Sequence, residues 1–105
     1  VRTAVLAWAD AWSRKDLERY FAAYTPDFGP GGRKAWMEDR RGRILGKRSI
    51  SVRVSDLTVS VEGPKATARF RQEYSSDALN AASRKTLRLE RSGSRWLIDQ
   101  ESVGS

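Results

Sequence analysis

Apolar residues recur at helical spacing through the first half of the chain and at a spacing of two through the second. From Thr3 to Trp12, Val5, Trp8, Ala9 and Trp12 share one helical face. Ser13 and Asp16 have the spacing of a capping box, with Asp in place of the usual Glu. A second helix is therefore expected, burying Leu17, Tyr20, Phe21 and Tyr24 and ending at Pro26. Phe28-Gly29-Pro30-Gly31-Gly32 reads as a loop, because Gly and Pro interrupt both helix and strand. A third helix is expected from about Arg33 to Leu45, with Trp36, Met37, Ile44 and Leu45 available for burial. Arg40 lies four residues from both Trp36 and Ile44, inside that apolar stripe. A charge there needs a partner or a route to water.

Beyond Gly46 the alternation predicts strands. Ile50, Val52 and Val54 are even-numbered, whereas Leu57, Val59 and Val61 are odd. One extra residue near Ser55-Asp56 accounts for the slip, and predicts a β-bulge that bends a long strand. After a turn at Glu62-Gly63-Pro64-Lys65, Ala66, Ala68, Phe70, Gln72 and Tyr74 share one face of a second strand. Ser75 to Ser83 reads as a longer polar connection. Lys85, Leu87 and Leu89 then form the inward face of a third strand, and Ser92-Gly93-Ser94 turns into a fourth with Trp96, Ile98 and Gln100 inward. The outward positions carry Arg53, Arg69, Arg71, Glu73, Arg88, Glu90, Asp99 and Glu101, as expected of a solvated sheet face. The order is α+β: three helices, then a four-stranded antiparallel meander.

Composition narrows the function classes. With 105 residues there is room for one domain and one core, to which ten aromatics, four of them Trp, contribute. No apolar run reaches the length of a membrane span. The chain has no Cys and no His, so disulfides, thiol catalysis, Ser-His-Asp chemistry and the common transition-metal ligands are excluded. It starts at Val1 in helical periodicity, and is expected to be a module of a longer protein. Of its net charge of +7, the segment from 33 to 48 carries +5: Arg33, Lys34, Arg40, Arg41, Arg43, Lys47 and Arg48 against Glu38 and Asp39. Such a patch suits an anionic partner, whether nucleic acid, an acidic wall polymer or a membrane surface. A solvated helix face is the plainer reading. The motifs of nucleic-acid modules are missing, and the aromatics that could stack on bases are in core phase.

The stretch from Ala9 to Leu17, followed by Tyr24-Thr25-Pro26-Asp27-Phe28, resembles the opening of the NTF2-like superfamily, which includes the SnoaL-like and ketosteroid-isomerase-like proteins. The Trp-x-x-x-Arg-Arg-x-Arg helix from Trp36 to Arg43, the strand from Phe70 to Asp77, Arg84-Lys85-Thr86-Leu87 and the closing Trp96-Leu97-Ile98 add a closer likeness. They are similar to NTF2-like C-terminal modules of bacterial envelope proteins, found beside L,D-transpeptidase-type or cell-shape peptidase domains and repeats. The resemblance implies a cone in which a curved sheet wraps the helices around a cavity. It implies a periplasmic or envelope location, and as partners a catalytic or repeat domain of the same parent chain, with homodimers among the relatives.

The enzymes of the superfamily use a carboxylate base, a Tyr and a protonated acid. By position those roles fall here near the loop Gly29 to Gly32, Trp8 and Thr86, so a non-catalytic, cofactor-free module is expected. Inward-facing Gln72, Tyr74, Lys85 and Gln100, together with Arg40, are the candidate mouth of a pocket for an anionic small molecule or a peptidoglycan fragment. Trp36 is a candidate wall, although core packing explains it as well. For Arg40 and Lys85 the alternative is pairing with carboxylates that close the cone.

Overall fold

The structure, a computed structural model, describes residues 1–104. In chain order the elements are helices α1 (Arg2–Ser13), α2 (Leu17–Ala22) and α3 (Arg33–Leu45), then strands β1 (Ile50–Glu62), β2 (Lys65–Ser76), β3 (Asn80–Ser92) and β4 (Arg95–Val103). The strands form one antiparallel sheet in the order β1-β2-β3-β4. One continuous core joins Val5, Trp8 and Trp12 of α1 and Tyr20 and Phe21 of α2 to Phe70, Leu87, Leu89 and Ile98 of the sheet. Phe70 and Leu87 are fully buried, and burying each such side chain contributes about 1.5–3 kcal/mol.

The helix ends depart from the capping box expected at Ser13. At the end of α1 the amide of Asp16 reaches the carbonyl of Ala11 and that of Lys15 reaches Trp12, with Lys15 at φ 58°. This is a Schellman ending in which Lys takes the position usually given to Gly. Its ammonium group is held by the carbonyl of Lys47. Asp16 itself caps α2, accepting from the amide of Arg19 at 3.2 Å. Ser13 instead accepts from the amide of Val52 at 2.8 Å, tying the end of α1 to β1. Tyr24 lies beyond α2, in a short parallel bridge to Ile98. There Ile98 donates to the carbonyl of Ala23 and accepts from the amide of Thr25. Before α3, a Cβ on Gly29 would stand 2.6 Å from the Cα of Arg33, so only glycine fits that close approach.

The sheet has two register shifts. In β1 the partners step from Ser55↔Arg71 to Thr58↔Arg69, three residues against two, as the slipped alternation predicts. Asp56 takes up the extra residue at φ 54°. The second shift was not anticipated: β3 and β4 step from Arg88↔Gln100 to Leu89↔Ile98, with Asp99 as the extra residue. It reverses the facing of everything after Ile98. Gln100, expected inward, is exposed, and Glu101, expected on the outer face, turns into the interior. The polar connection from Ser75 to Ser83 is also shorter than expected. Pairing continues to Ser75↔Asn80, and Ser76 closes a tight turn by accepting from the amides of Ala78 and Leu79.

The left-handed geometry of Asp56 supplies a direct check on the first bulge. Asp56→Gly is expected to match or exceed wild-type stability, while a β-branched Asp56→Val lowers it by about 1–2 kcal/mol. Urea denaturation of both variants reads the difference, and equal stability of the two would mean that the bulge lies elsewhere.

Candidate functional site

The inward turn of Glu101 creates a buried polar network. Lys85 on β3 donates to Glu101 at 2.7 Å, with only 4% and 6% of the two side chains exposed. The Lys85 ammonium group also lies 5.3 Å and 5.4 Å from the ring centres of Trp8 and Trp12, whose electron-rich faces favour a cation. The second oxygen of Glu101 accepts from the hydroxyl of Tyr24 at 3.0 Å, and that hydroxyl in turn accepts from the indole N–H of Trp8 at 2.9 Å. The hydroxyl of Tyr20 stands 3.3 Å from that of Tyr24. α1, α2, the bridge segment and strands β3 and β4 thus meet around one carboxylate.

Burial pushes the phenol of Tyr24 well above its ordinary value of 10, and the charge of Glu101 adds to the effect. Burial also raises Tyr20, partly offset by the nearby guanidinium of Arg40. For Arg40, burial disfavours the charge, but the surrounding Tyr20, Glu101 and Tyr24 outweigh it and the guanidinium stays firmly protonated.

Beside this network lies a pocket of about 470 Å³ between α3, the end of α1 and the strands. Trp12, Tyr20 and Tyr74 supply its aromatic wall, Arg40 and Arg43 reach it from α3, and Lys47 from just beyond the end of that helix. Gln72, Ile44, Leu79 and Ala81 complete it, and no acidic residue is among the lining. The Nε of Arg40 and the Oε1 of Gln72 are buried without a hydrogen-bond partner, a state that costs free energy until something binds them.

The structure therefore brings Arg40, Gln72 and Tyr74 together and separates Lys85 from them. Lys85 is consumed by Glu101 and is not part of the pocket lining. Gln100 is carried to the outer face by the Asp99 bulge. Trp36 is buried among Phe21, Tyr24 and Phe28, with ring centres 4.7 Å and 4.8 Å from Tyr24 and Phe28, and forms core instead of pocket wall. The segment from 33 to 48 is not one patch either. Arg33 donates to the carbonyls of Thr25 and Phe28 and lies over Trp36, while Arg43 pairs with Asp39 at 3.1 Å. Lys34 in the first turn and Arg48 beyond the last lie at opposite ends of a helix roughly 20 Å long; both are exposed, as is Arg41. Sequence reasoning missed Glu101, Tyr20 and Tyr24. It placed Arg43 and Lys47 in the surface patch, although their spacing from Arg40 was the available signal.

Three helices over a four-stranded antiparallel sheet, with a polar-lined pocket beside the core, define an NTF2-like domain. The chain belongs to the Cds6 C-terminal NTF2-like domain family, which matches residues 1–102. Among solved structures it is similar to Bd1075 of Bdellovibrio bacteriovorus, with 26% identity and a TM-score of 0.88, over 95% of this chain and 37% of that one. It shares its fold with the K307A mutant of the helical cell shape determining protein Pgp2 of Campylobacter jejuni, at 16% identity and a TM-score of 0.81, over 94% and 38% of the two chains. A Streptomyces avermitilis protein of the NTF2-like family, described as a candidate dehydratase, shares the fold at 18% identity and a TM-score of 0.83, over 97% and 91%. The chain thus spans little more than a third of the Bdellovibrio and Campylobacter proteins. No curated protein sequence matches it. Among the described residues no helix is long and apolar enough to cross a membrane.

Removing one member of the ion pair strands the other. Lys85→Met is expected to cost about 3–5 kcal/mol in urea denaturation, and Lys85→Met with Glu101→Leu to recover much of it. Loss of the same size in the double variant would show that the pair does not act as a unit. The raised phenols set an alkaline limit. Their stabilising effect is complete below the ordinary value of 10 and is lost as pH climbs through the higher folded-state values. Above pH 10 the stability of Tyr24→Phe should therefore fall less steeply than that of the wild type, and parallel profiles would contradict the assignment.

Proposed function

We infer that this domain is a non-catalytic accessory module whose pocket binds an anionic group. The observation that carries the reading is the guanidinium of Arg40. It is half-buried at the pocket, has no carboxylate within ion-pairing distance among the described residues, and leaves its Nε unpartnered. The one buried carboxylate nearby is already neutralised by Lys85. Lys85, Glu101 and Arg40 together leave one positive charge in excess, and Lys47 strengthens it at the mouth, where Arg43 is paired with Asp39. An anion entering there meets a fork-shaped donor, and Gln72 offers a second hydrogen bond beside it.

The inward carboxylate corrects the expectation that all acidic groups lie outside, yet it does not revive a catalytic role. A general base needs a free carboxylate within reach of a substrate proton. Both oxygens of Glu101 are engaged, one by Lys85 and one by Tyr24. The likeness to a cell-shape protein supports placing the module in an envelope protein, where a carboxylated fragment of peptidoglycan is the ligand class at hand. The pocket volume suits a group of one or two residues or sugars.

Titration with small carboxylates and with a carboxylated wall fragment, followed by Trp fluorescence, tests the reading, because Trp12 lines the pocket. Saturable binding should weaken by about 10- to 100-fold in Arg40→Gln, the loss of one charged hydrogen bond. Equal binding by Arg40→Gln, or no binding of any such ligand to the wild type, overturns it.

A further inference from the structure

The outer face of the sheet, opposite the helices, carries a second cationic surface. Arg71 on β2 and Arg84 on β3 are direct cross-strand partners, like charges placed side by side. Arg69 is two residues along from Arg71, and Arg88 stands diagonal to it, one step beyond its partner Thr86. All four arginines are exposed. Arg71 makes a loose 3.4 Å pair with Glu73, whereas Arg69, Arg84 and Arg88 have no carboxylate partner among the described residues. Like charges directly opposite each other destabilise a sheet. Among the described residues only the loose contact of Arg71 with Glu73 offsets this arrangement.

What lies between the arginines is as informative. Thr58, Thr86 and Ser102 share the row of Arg69, and Ser60, Thr67 and Gln100 share the row of Arg88. These rows contain hydroxyl and amide groups with no aromatic, aliphatic or acidic side chain. A depression of about 630 Å³ runs over them, lined by Ser60, Thr67, Arg69, Arg88 and Gln100. Its far end reaches Glu62 and Asp99, and Lys65 there pairs with Asp99 and Glu90. The Asp99 bulge that turns Glu101 inward is also what carries Gln100 to this face.

We propose that this face binds an acidic polysaccharide, with its carboxylates held by the arginine forks and its hydroxyls by the interleaved Thr and Ser. Guanidinium groups match carboxylates through two parallel hydrogen bonds. The alternating hydroxyls match the polyol part of a sugar chain. Single-stranded nucleic acid needs stacking platforms, and the face has none. A membrane surface would favour apolar anchors among the charges, and the rows of Arg69 and Arg88 carry none. A second copy related by a two-fold axis would press the arginine block against itself. The surface is separate from the pocket of Arg40, on the opposite side of the sheet, and does not rest on the reading given for it.

The test measures binding of the 105-residue chain to polygalacturonate, with dextran as the uncharged polysaccharide and duplex DNA as the alternative polyanion. The wild type is expected to bind polygalacturonate at physiological salt, near 0.15 M, and to ignore dextran. Arg84→Gln with Arg88→Gln should weaken that binding about tenfold or more and reduce the salt slope by about one to two. It should leave small-carboxylate binding in the pocket unchanged, which separates failure of one site from failure of the other. Because the pair removes a like-charge contact, its thermal midpoint should equal or exceed that of the wild type; should it fold poorly, Arg88→Gln alone carries the same test at half the effect. Unchanged polygalacturonate binding in the variant, no binding by the wild type, or tighter binding of duplex DNA would each overturn the proposal.

Discussion

The contact between Lys85 and Glu101 organises the interior, because two charges placed in a core must be satisfied from several directions at once. The desolvation penalty for such a pair is several kcal/mol per ion, and it is recovered only where geometry and additional hydrogen bonds are good. Here Trp8 and Trp12 provide ring faces for the ammonium group, and Tyr24 provides a hydroxyl for the carboxylate. Trp8 donates to Tyr24 in turn, so α1 cannot shift along the sheet without unpairing a buried donor. The hydrophobic core supplies most of the stability, and the ionic network restricts how that core can be arranged.

The same network explains why a neighbouring pocket is left positive. Had Glu101 remained outside, Lys85 and Arg40 would face the interior with no counter-charge. With Glu101 inside, one cation is neutralised and the other is available. The facing of a single residue therefore sets how much uncompensated positive charge the interior holds, and that facing is set by the bulge at Asp99. Backbone register and electrostatics are here one property.

How much of this was legible depends on what flanked each feature. The bulge in β1 showed in the sequence because Val52 and Val54 on one side and Leu57, Val59 and Val61 on the other mark the phase before and after it. The bulge in β4 was invisible: past Ile98 the chain reads Asp99-Gln100-Glu101-Ser102, and four polar residues carry no phase. One misread residue then placed Gln100 inside and Glu101 outside, and left Lys85 without its partner. The helix stripes and the break at Arg40 were readable from spacing alone. Arg33 was not, because its partners are the backbone carbonyls of Thr25 and Phe28, which no pattern of side chains reveals.

The bridge between Tyr24 and Ile98 has a consequence for how these molecules meet one another. β4 is a terminal strand of the sheet, and its open backbone would ordinarily invite a strand from a neighbouring chain. Ala23 and Thr25 already occupy the amide and carbonyl of Ile98 in the middle of that edge, and the bulge interrupts it immediately afterwards. No straight run of free backbone groups is left there to template fibril-like growth. The opposite rim, β1, is bent at Asp56. Both borders of the sheet are thus poor sites for strand-by-strand extension by a neighbouring copy.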